Sequence, residues 1–215
     1  GSESFTAHTI TTSAGYAYSV YAVDMDGDGD IDVLSASHDD HKIAWYENDG
    51  SESFTAATIT TSANNAKSVY AVDMDGDGDM DVLSASHGDD KIAWYENDGS
   101  ESFTAATITS SADGAWSVYA VDLDGDGDMD VLSASSLDDK IAWYENDGSE
   151  SFTAATITTS ANNAKSVYAV DMDGDGDMDV LSASYNDDTI AWYESAPDNT
   201  APTVSSLSPA DGATG

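Results

Sequence analysis

Short stretches rich in Val, Ile, Tyr, Trp and Thr recur along the chain, bounded by clusters of Gly, Asp, Asn and Ser. No segment sustains an apolar period of 3.6, so the pattern predicts strands and almost no helix. In one representative segment the strands fall at Phe54–Thr60, 68–73, Asp81–Ser86 and Lys91–Asn97. The pattern is a tandem repeat. Ser-Val-Tyr-Ala-Val-Asp at 19–24 returns at 68–73, 117–122 and 166–171, each time 49 residues on. Ile-Ala-Trp-Tyr-Glu at 43–47 returns at 92–96, 141–145 and 190–194. Phe-Thr-Ala-His-Thr-Ile at 5–10 is echoed at 54–59, 103–108 and 152–157.

Four short strands in a unit of about 40 to 50 residues are the signature of a propeller blade. A repeated β-sandwich is the alternative, and a calcium β-roll fits less well because its repeat is a nonapeptide. The expected fold is all-β: a β-propeller of four-stranded antiparallel blades over residues 1–195. The segment at 5–11 has no earlier partner in its own unit, and the last copy lacks the strand that follows Trp-Tyr-Glu elsewhere. The first strand is therefore expected to complete the last blade and close the ring. Residues 196–215 read as a Pro-containing linker, followed from 203 by a stretch that resembles the opening strand of a bacterial immunoglobulin-like domain.

Composition narrows the partners. Forty-two acidic residues stand against 5 basic ones, a formal net charge of -37. Such a surface repels nucleic acid and anionic membrane, and no apolar run is long enough for membrane insertion. With no cysteine there is no disulfide or thiol chemistry. The chain begins at Gly1 without a signal peptide, so it reads as a mature fragment.

Much of the acid sits in four loops between the second and third strands of the unit. The first holds Asp24, Asp26, Asp28, Asp30 and Asp32, and the second Asp73, Asp75, Asp77, Asp79 and Asp81. The third holds Asp122, Asp124, Asp126, Asp128 and Asp130, and the fourth Asp171, Asp173, Asp175, Asp177 and Asp179. Five carboxylates in nine residues repel one another without a counter-ion. Alternate spacing turns those at positions 1, 3 and 5 (Asp24, Asp26 and Asp28 in the first loop) toward one centre. Hard oxygen ligands in this pattern suit calcium, about one ion per repeat and four in all. Glycine at position 6 (Gly29, Gly78, Gly127, Gly176) permits the turn. Position 7 (Asp30, Asp79, Asp128, Asp177) is expected to offer its backbone carbonyl. Position 9 (Asp32, Asp81, Asp130, Asp179) is expected to close the site with its carboxylate. Serine at position 12 and β flanks exclude an EF-hand.

These loops carry a resemblance. Asp-x-Asp-x-Asp-Gly-x-x-Asp, four times over, resembles the bacterial VCBS and FG-GAP repeats whose blades also build the integrin α-subunit propeller. The resemblance implies calcium held between the first two strands of a blade. It also implies an extracellular or cell-surface module used in adhesion, carbohydrate binding or attachment to enzymes. The Phe-Gly and Gly-Ala-Pro elements that name the FG-GAP repeat are absent, and four blades are fewer than the usual seven or so. The ring is then a small four-bladed one, half of an eight-bladed ring completed by a homodimer, or a slice of a longer array.

Catalysis has little support: no Gly-x-Ser-x-Gly elbow, and carboxylates concentrated in the metal loops. His38 and His41 flank two aspartates and read as exposed loop residues rather than transition-metal ligands. The four Trp at 45, 94, 143 and 192 read as core between blades. The expected function is a non-catalytic module binding a carbohydrate or protein partner; a calcium-stiffened spacer and an accessory domain of a polysaccharide-active enzyme are the alternatives. The copies differ mainly at 15–18, 64–67, 113–116 and 162–165, and at 38–41, 87–90, 136–139 and 185–188. Alternating connections put both variable loops on one face and the acidic loops on the other. The variable loops introduce Tyr16, Tyr18, Trp116 and Tyr185, so a ligand is expected on that face.

Overall fold

The computed structural model describes residues 3–196. It contains fifteen strands in four antiparallel sheets, each a meander in chain order. The first sheet is β1 (Ala17–Val23), β2 (Asp32–Ser37), β3 (Lys42–Asn48) and β4 (Phe54–Thr60). The second is β5 (Ala66–Val72), β6 (Asp81–Ser86), β7 (Lys91–Asn97) and β8 (Phe103–Thr109). The third is β9 (Ala115–Val121), β10 (Asp130–Ser135), β11 (Lys140–Asn146) and β12 (Phe152–Thr158). The fourth has only β13 (Ala164–Val170), β14 (Asp179–Ser184) and β15 (Thr189–Tyr193). Among the described residues no helix is long and apolar enough to cross a membrane.

The core lies between sheets. From one blade Leu34, Ile43 and Trp45 pack against Ala66, Val69, Val82 and Tyr95 of the next. The same sets recur at the two later interfaces. Middle strands covered on both faces bury almost every residue, as a packed blade requires. The Tyr95 hydroxyl, brought into that interior, meets the Ser84 hydroxyl at 3.2 Å, and the other blades repeat the pairing. The first strands of successive blades lie side by side along the axis. Tyr21, Tyr70, Tyr119 and Tyr168 form a column there, with ring centres 4.7, 5.0 and 4.8 Å apart.

Two expectations need correction. The segment at 5–11 does not complete the fourth blade: among the described residues that blade is three-stranded, and residues 3–16 form no strand. Residues 8–12 instead line a cleft with Val20, Val33 and Tyr46 on the first blade. The four sheets are not closed into a ring: the core clusters join only consecutive blades, first to second, second to third and third to fourth. The second concerns the tryptophans. Trp45 and Trp94 are 2% exposed as expected, but Trp192 is 45% exposed because no fifth sheet covers it. The expected linker and immunoglobulin-like start fall largely outside the described residues.

Candidate functional site

Each acidic loop joins the first two strands of a blade. Its turn needs Gly27 and Gly29 in the left-handed region, at φ 75° and 98°. The Asp24 carboxylate accepts from the Gly27 and Gly29 N–H groups at 2.9 and 3.0 Å. Asp26 accepts from the Asp28 N–H and Asp28 from the Asp30 N–H. These bonds gather the carboxylates of the loop. Asp24, Asp26 and Asp28 bring one oxygen each within 4.8 Å of one another, as do Asp73, Asp75 and Asp77.

The third and fourth loops depart from the expected pattern of positions 1, 3 and 5. There the groups are Asp122, Asp124, Asp130 and Asp171, Asp173, Asp179, and the position-5 residues Asp126 and Asp175 lie outside them. Asp126 and Asp175 accept the Asp128 and Asp177 N–H groups at 2.9 and 3.0 Å on the exposed side of the loop. Asp28 and Asp77 accept the Asp30 and Asp79 N–H groups in the same way. Asp130 and Asp179 each accept two backbone N–H groups, as Asp32 and Asp81 do in the first two loops. Position 9 joins the group in two loops and position 5 in the other two. In all four, an all-oxygen, multiply anionic set with room for further carbonyl ligands fits a calcium ion.

Position 7 points elsewhere. A Cβ on Gly50 would meet an Asp30 carboxylate oxygen at 2.4 Å, and Gly99 and Gly148 stand in the same relation to Asp79 and Asp128. These side chains cover the turn between the last two strands of a blade, and only their backbone is left for the loop. Position 9 is the structural anchor. Fully buried Asp81 accepts the Met74 N–H at 3.1 Å and the Asn97 N–H at 2.7 Å. The Asn97 side chain then donates to the Met80 carbonyl. Acidic loop and Asn-Asp-Gly turn are thereby tied together on one face, and the first and third blades repeat the arrangement.

Like charges at close range leave a mark. Burial, with the neighbouring carboxylates adding to it, pushes the Asp26, Asp75 and Asp124 carboxyls up. Burial raises Asp81 and Asp130 to about 6, against the pull of their two backbone N–H donors. In the fourth blade the Ser195 N–H pulls Asp179 down instead. Carboxylates sealed from solvent like Asp81 and Asp130 are out of reach of a substrate, so their raised values do not mark a general acid.

The opposite face is built from the variable loops. The His38 and Asp39 N–H groups donate to the Tyr16 and Gly15 carbonyls, at 3.1 Å each, and the later blades repeat the pairing. Neighbouring blades are stapled here as well. Asp90 and Asp139 accept the Gly114 and Asn163 N–H groups, and His41 Nδ1 does the same for Asn65. His41 thus serves as a staple between the first two blades.

In all four blades the residue after the first of the innermost strand is the extra residue of a β-bulge: Tyr18, Lys67, Trp116 and Lys165. A bulge re-aims its side chain, and here it brings the four together. Lys67 Nζ lies 3.4 Å from the Tyr18 ring centre and 4.6 Å from that of Trp116. Lys165 Nζ lies 3.2 Å over Trp116. His38 packs on Tyr18, and His87 meets Trp116 edge-on. Tyr185 joins Trp116, Asn163 and Lys165 around a shallow cleft of about 390 Å³. Tyr16 stands apart from this cluster, exposed and in the left-handed region at φ 48°, where the other copies carry Asn, Gly and Asn.

Sequence reasoning singled out the aromatics, gave no ligand role to Lys67, Lys165 or His87, and read His38 as an exposed loop residue. Alternation of Tyr, Lys, Trp and Lys at one repeat position was the signal available.

The FG-GAP-like repeat matches at residues 24–84, 73–133 and 122–182. Three overlapping matches cover most of the chain, and each spans an acidic loop and the next, so the chain belongs to the FG-GAP-like repeat family. No curated protein sequence matches it.

Among solved structures it is similar to an Agrocybe aegerita lectin that recognises non-reducing terminal N-acetylglucosamine. That match has 17% identity and a TM-score of 0.53, covering 76% of this chain and 46% of the lectin. A putative 6-phosphogluconolactonase from Bacteroides uniformis gives 14% identity and a TM-score of 0.55, over 78% of this chain and 51% of the other. The V. cholerae biofilm matrix protein Bap1 gives 19% identity and a TM-score of 0.47, over 85% and 31%. The chain spans about half or less of these structures, and the likeness shows the fold alone.

Proposed function

We propose that this chain is a non-catalytic, calcium-stabilised propeller module of a secreted or cell-surface protein. It presents its variable-loop face to a carbohydrate or protein partner. The observation that carries the reading is the division of labour between the faces. Near-invariant acidic loops, tied to their neighbouring turns, occupy one face, and the residues that differ between copies gather as an aromatic cluster on the other. Exposed Tyr16, Tyr18 and Tyr185 and half-buried Trp116, with few rotatable bonds, suit stacking on sugar rings or anchoring of a protein surface. The fold itself carries both a lectin and a putative lactonase, so the choice between binding and catalysis rests on the site. Calcium at Asp24, Asp26, Asp28 and Asp32, and at their counterparts in each repeat, would hold the two inner strands of each blade in register. In the third and fourth repeats that set adds Asp126 and Asp175 to the groups formed by positions 1, 3 and 9. Glycan-array and pull-down screening of the chain, beside a variant with Tyr16, Tyr18, Trp116 and Tyr185 all changed to Ala, tests this. Binding lost in the variant at unchanged stability supports it. No binding by either protein leaves the spacer reading.

A specific observation also favours association with a second copy through the ends of the arc. Val20 of the first blade is 70% exposed and Ile190 of the fourth 78%, yet their counterparts Val69 and Ile92 are 4% and 0% exposed inside the array. The two ends are complementary by construction, because each interior interface joins the same pair of surfaces. A chain of twice the monomer mass by light scattering is expected; a monomer at all concentrations would refute it.

A further inference from the structure

The chain has five basic side chains against 42 acidic ones, and where they sit is informative. Lys42, Lys91 and Lys140 pair with Asp40, Asp89 and Asp138 at 3.5, 2.9 and 2.6 Å. Lys67 and Lys165 have no carboxylate within reach among the described residues. They are the two bulge lysines, and both ammonium groups lie within 4.6 Å of the centre of one indole ring, that of Trp116. His38 and His87 complete the surroundings. A surface this acidic offers many carboxylates for two lysines to meet. Instead four repeats converge two unpaired cations and two large rings at one spot.

Aromatic faces attract ammonium groups but accept few of their hydrogen bonds. The two cations also repel one another. Burial and the Lys67 charge push the Lys165 ammonium down, and burial with both lysines pushes His87 down. Lys67 is 7% exposed against the Tyr18 and Trp116 rings, and Lys165 is the more open of the two; an anion beside the indole lessens their repulsion and supplies Lys165 with the missing acceptors. Beside the cations, the cleft walled by Trp116, Asn163, Lys165 and Tyr185 has a mostly apolar lining with one amide, the surroundings a sugar ring takes.

We propose that the Lys67, Trp116 and Lys165 cluster binds the carboxylate of an acidic saccharide, a uronic acid residue, with the sugar ring seated in the cleft beside Tyr185. This rests on the reading of the variable face as a ligand face and names the class of ligand. The net charge of -37 fixes the form of that ligand. A densely charged polyanion is repelled by the surface as a whole, whereas a single carboxylate at a chain end meets only the local cations.

The full chain in saturating calcium, at neutral pH and low salt, is titrated calorimetrically with D-glucuronate, D-glucose and acetate. Glucuronate is expected to bind at least about tenfold more tightly than either of the others, since it alone offers both ring and charge. In the Lys67→Met, Lys165→Met double variant that preference over glucose is expected to vanish, with thermal unfolding still cooperative. Lys→Gln at both positions replaces the Met variant if the latter melts early. A glucuronate affinity no better than that of glucose, or equal to that of acetate, overturns the proposal; so does a preference that survives loss of both ammonium groups. Should glycans bind through the four aromatics without a uronate preference, this inference falls and the proposed function stands. If glycan binding ignores the aromatic substitutions, both fall.

Discussion

Asp81→Asn separates the two roles assigned to the position-nine aspartate. Its carboxylate accepts the Met74 and Asn97 N–H groups, and an amide oxygen can keep one of these but not both. Losing one charge-assisted hydrogen bond to a buried N–H costs about 1.5 to 3 kcal/mol. Without metal, however, the native carboxylate is itself costly at neutral pH. Raised from 3.8 to about 6 by burial, it disfavours the folded state by about 3 kcal/mol, which Asn removes. The two terms nearly cancel, so in EDTA the variant should match the parent within about 1 kcal/mol. With calcium bound, the cation offsets the cost of the buried charge and Asn gains nothing from its removal. The variant then loses the hydrogen bond and one site's binding contribution, about 1.4 kcal/mol at ten times Kd. The sum is about 3 to 4 kcal/mol, or a fall of about 6 to 15 °C in Tm. Paired thermal melts in EDTA and in millimolar calcium read this directly. An equal loss of stability in both conditions would refute the assignment of Asp81 to a metal site.

Four further outcomes are expected. In EDTA, stability should fall as pH rises from about 4 to 7. Asp81 and Asp130 bind protons more tightly folded than unfolded, so their contribution is complete below 3.8 and lost through about 6. Saturating calcium should abolish that trend in a pH series of melts. Trp94→Ala should cost about 3 to 5 kcal/mol in chemical denaturation and Trp192→Ala under about 1, because only the first is sealed between blades. Tyr16→Gly should stabilise the chain by about 1 kcal/mol by releasing a bulky residue from the left-handed region, and weaken any ligand that Tyr16 contacts. Deleting residues 1–12 should shift Tm by only a few degrees and leave solubility unchanged, since no strand pairing is lost.

The blades were legible because each strand states itself four times. Phe54–Thr60, Asp81–Ser86 and Lys91–Asn97 stand where the Val, Ile, Tyr and Trp pattern puts them. The innermost strand starts at Ala66 rather than 68, because the bulge at Lys67 lets pairing continue past a residue that breaks the alternation. The carboxylates were legible from spacing alone, but the two N–H bonds that make Asp81 an anchor depend on Asn97, sixteen residues away on another strand. Spacing also treats the four loops as equal, whereas Asp126 and Asp175 stand outside the groups that their counterparts Asp28 and Asp77 join. Ring closure could not be read from strand counting. The segment at 8–12, expected on the last blade, lies against Val20, Val33 and Tyr46 of the first instead. Lys67 and Lys165 read locally as solvated charges, and only the convergence of four bulges places them around Trp116.

Calcium titration of EDTA-stripped protein by calorimetry, with a melt at each step, tests the central claim most directly. The account predicts about four ions per chain, a Tm that climbs with each addition, and a gain in stability of about 5 to 6 kcal/mol in total at ten times Kd. Absence of binding heat together with a melting temperature indifferent to calcium would contradict it.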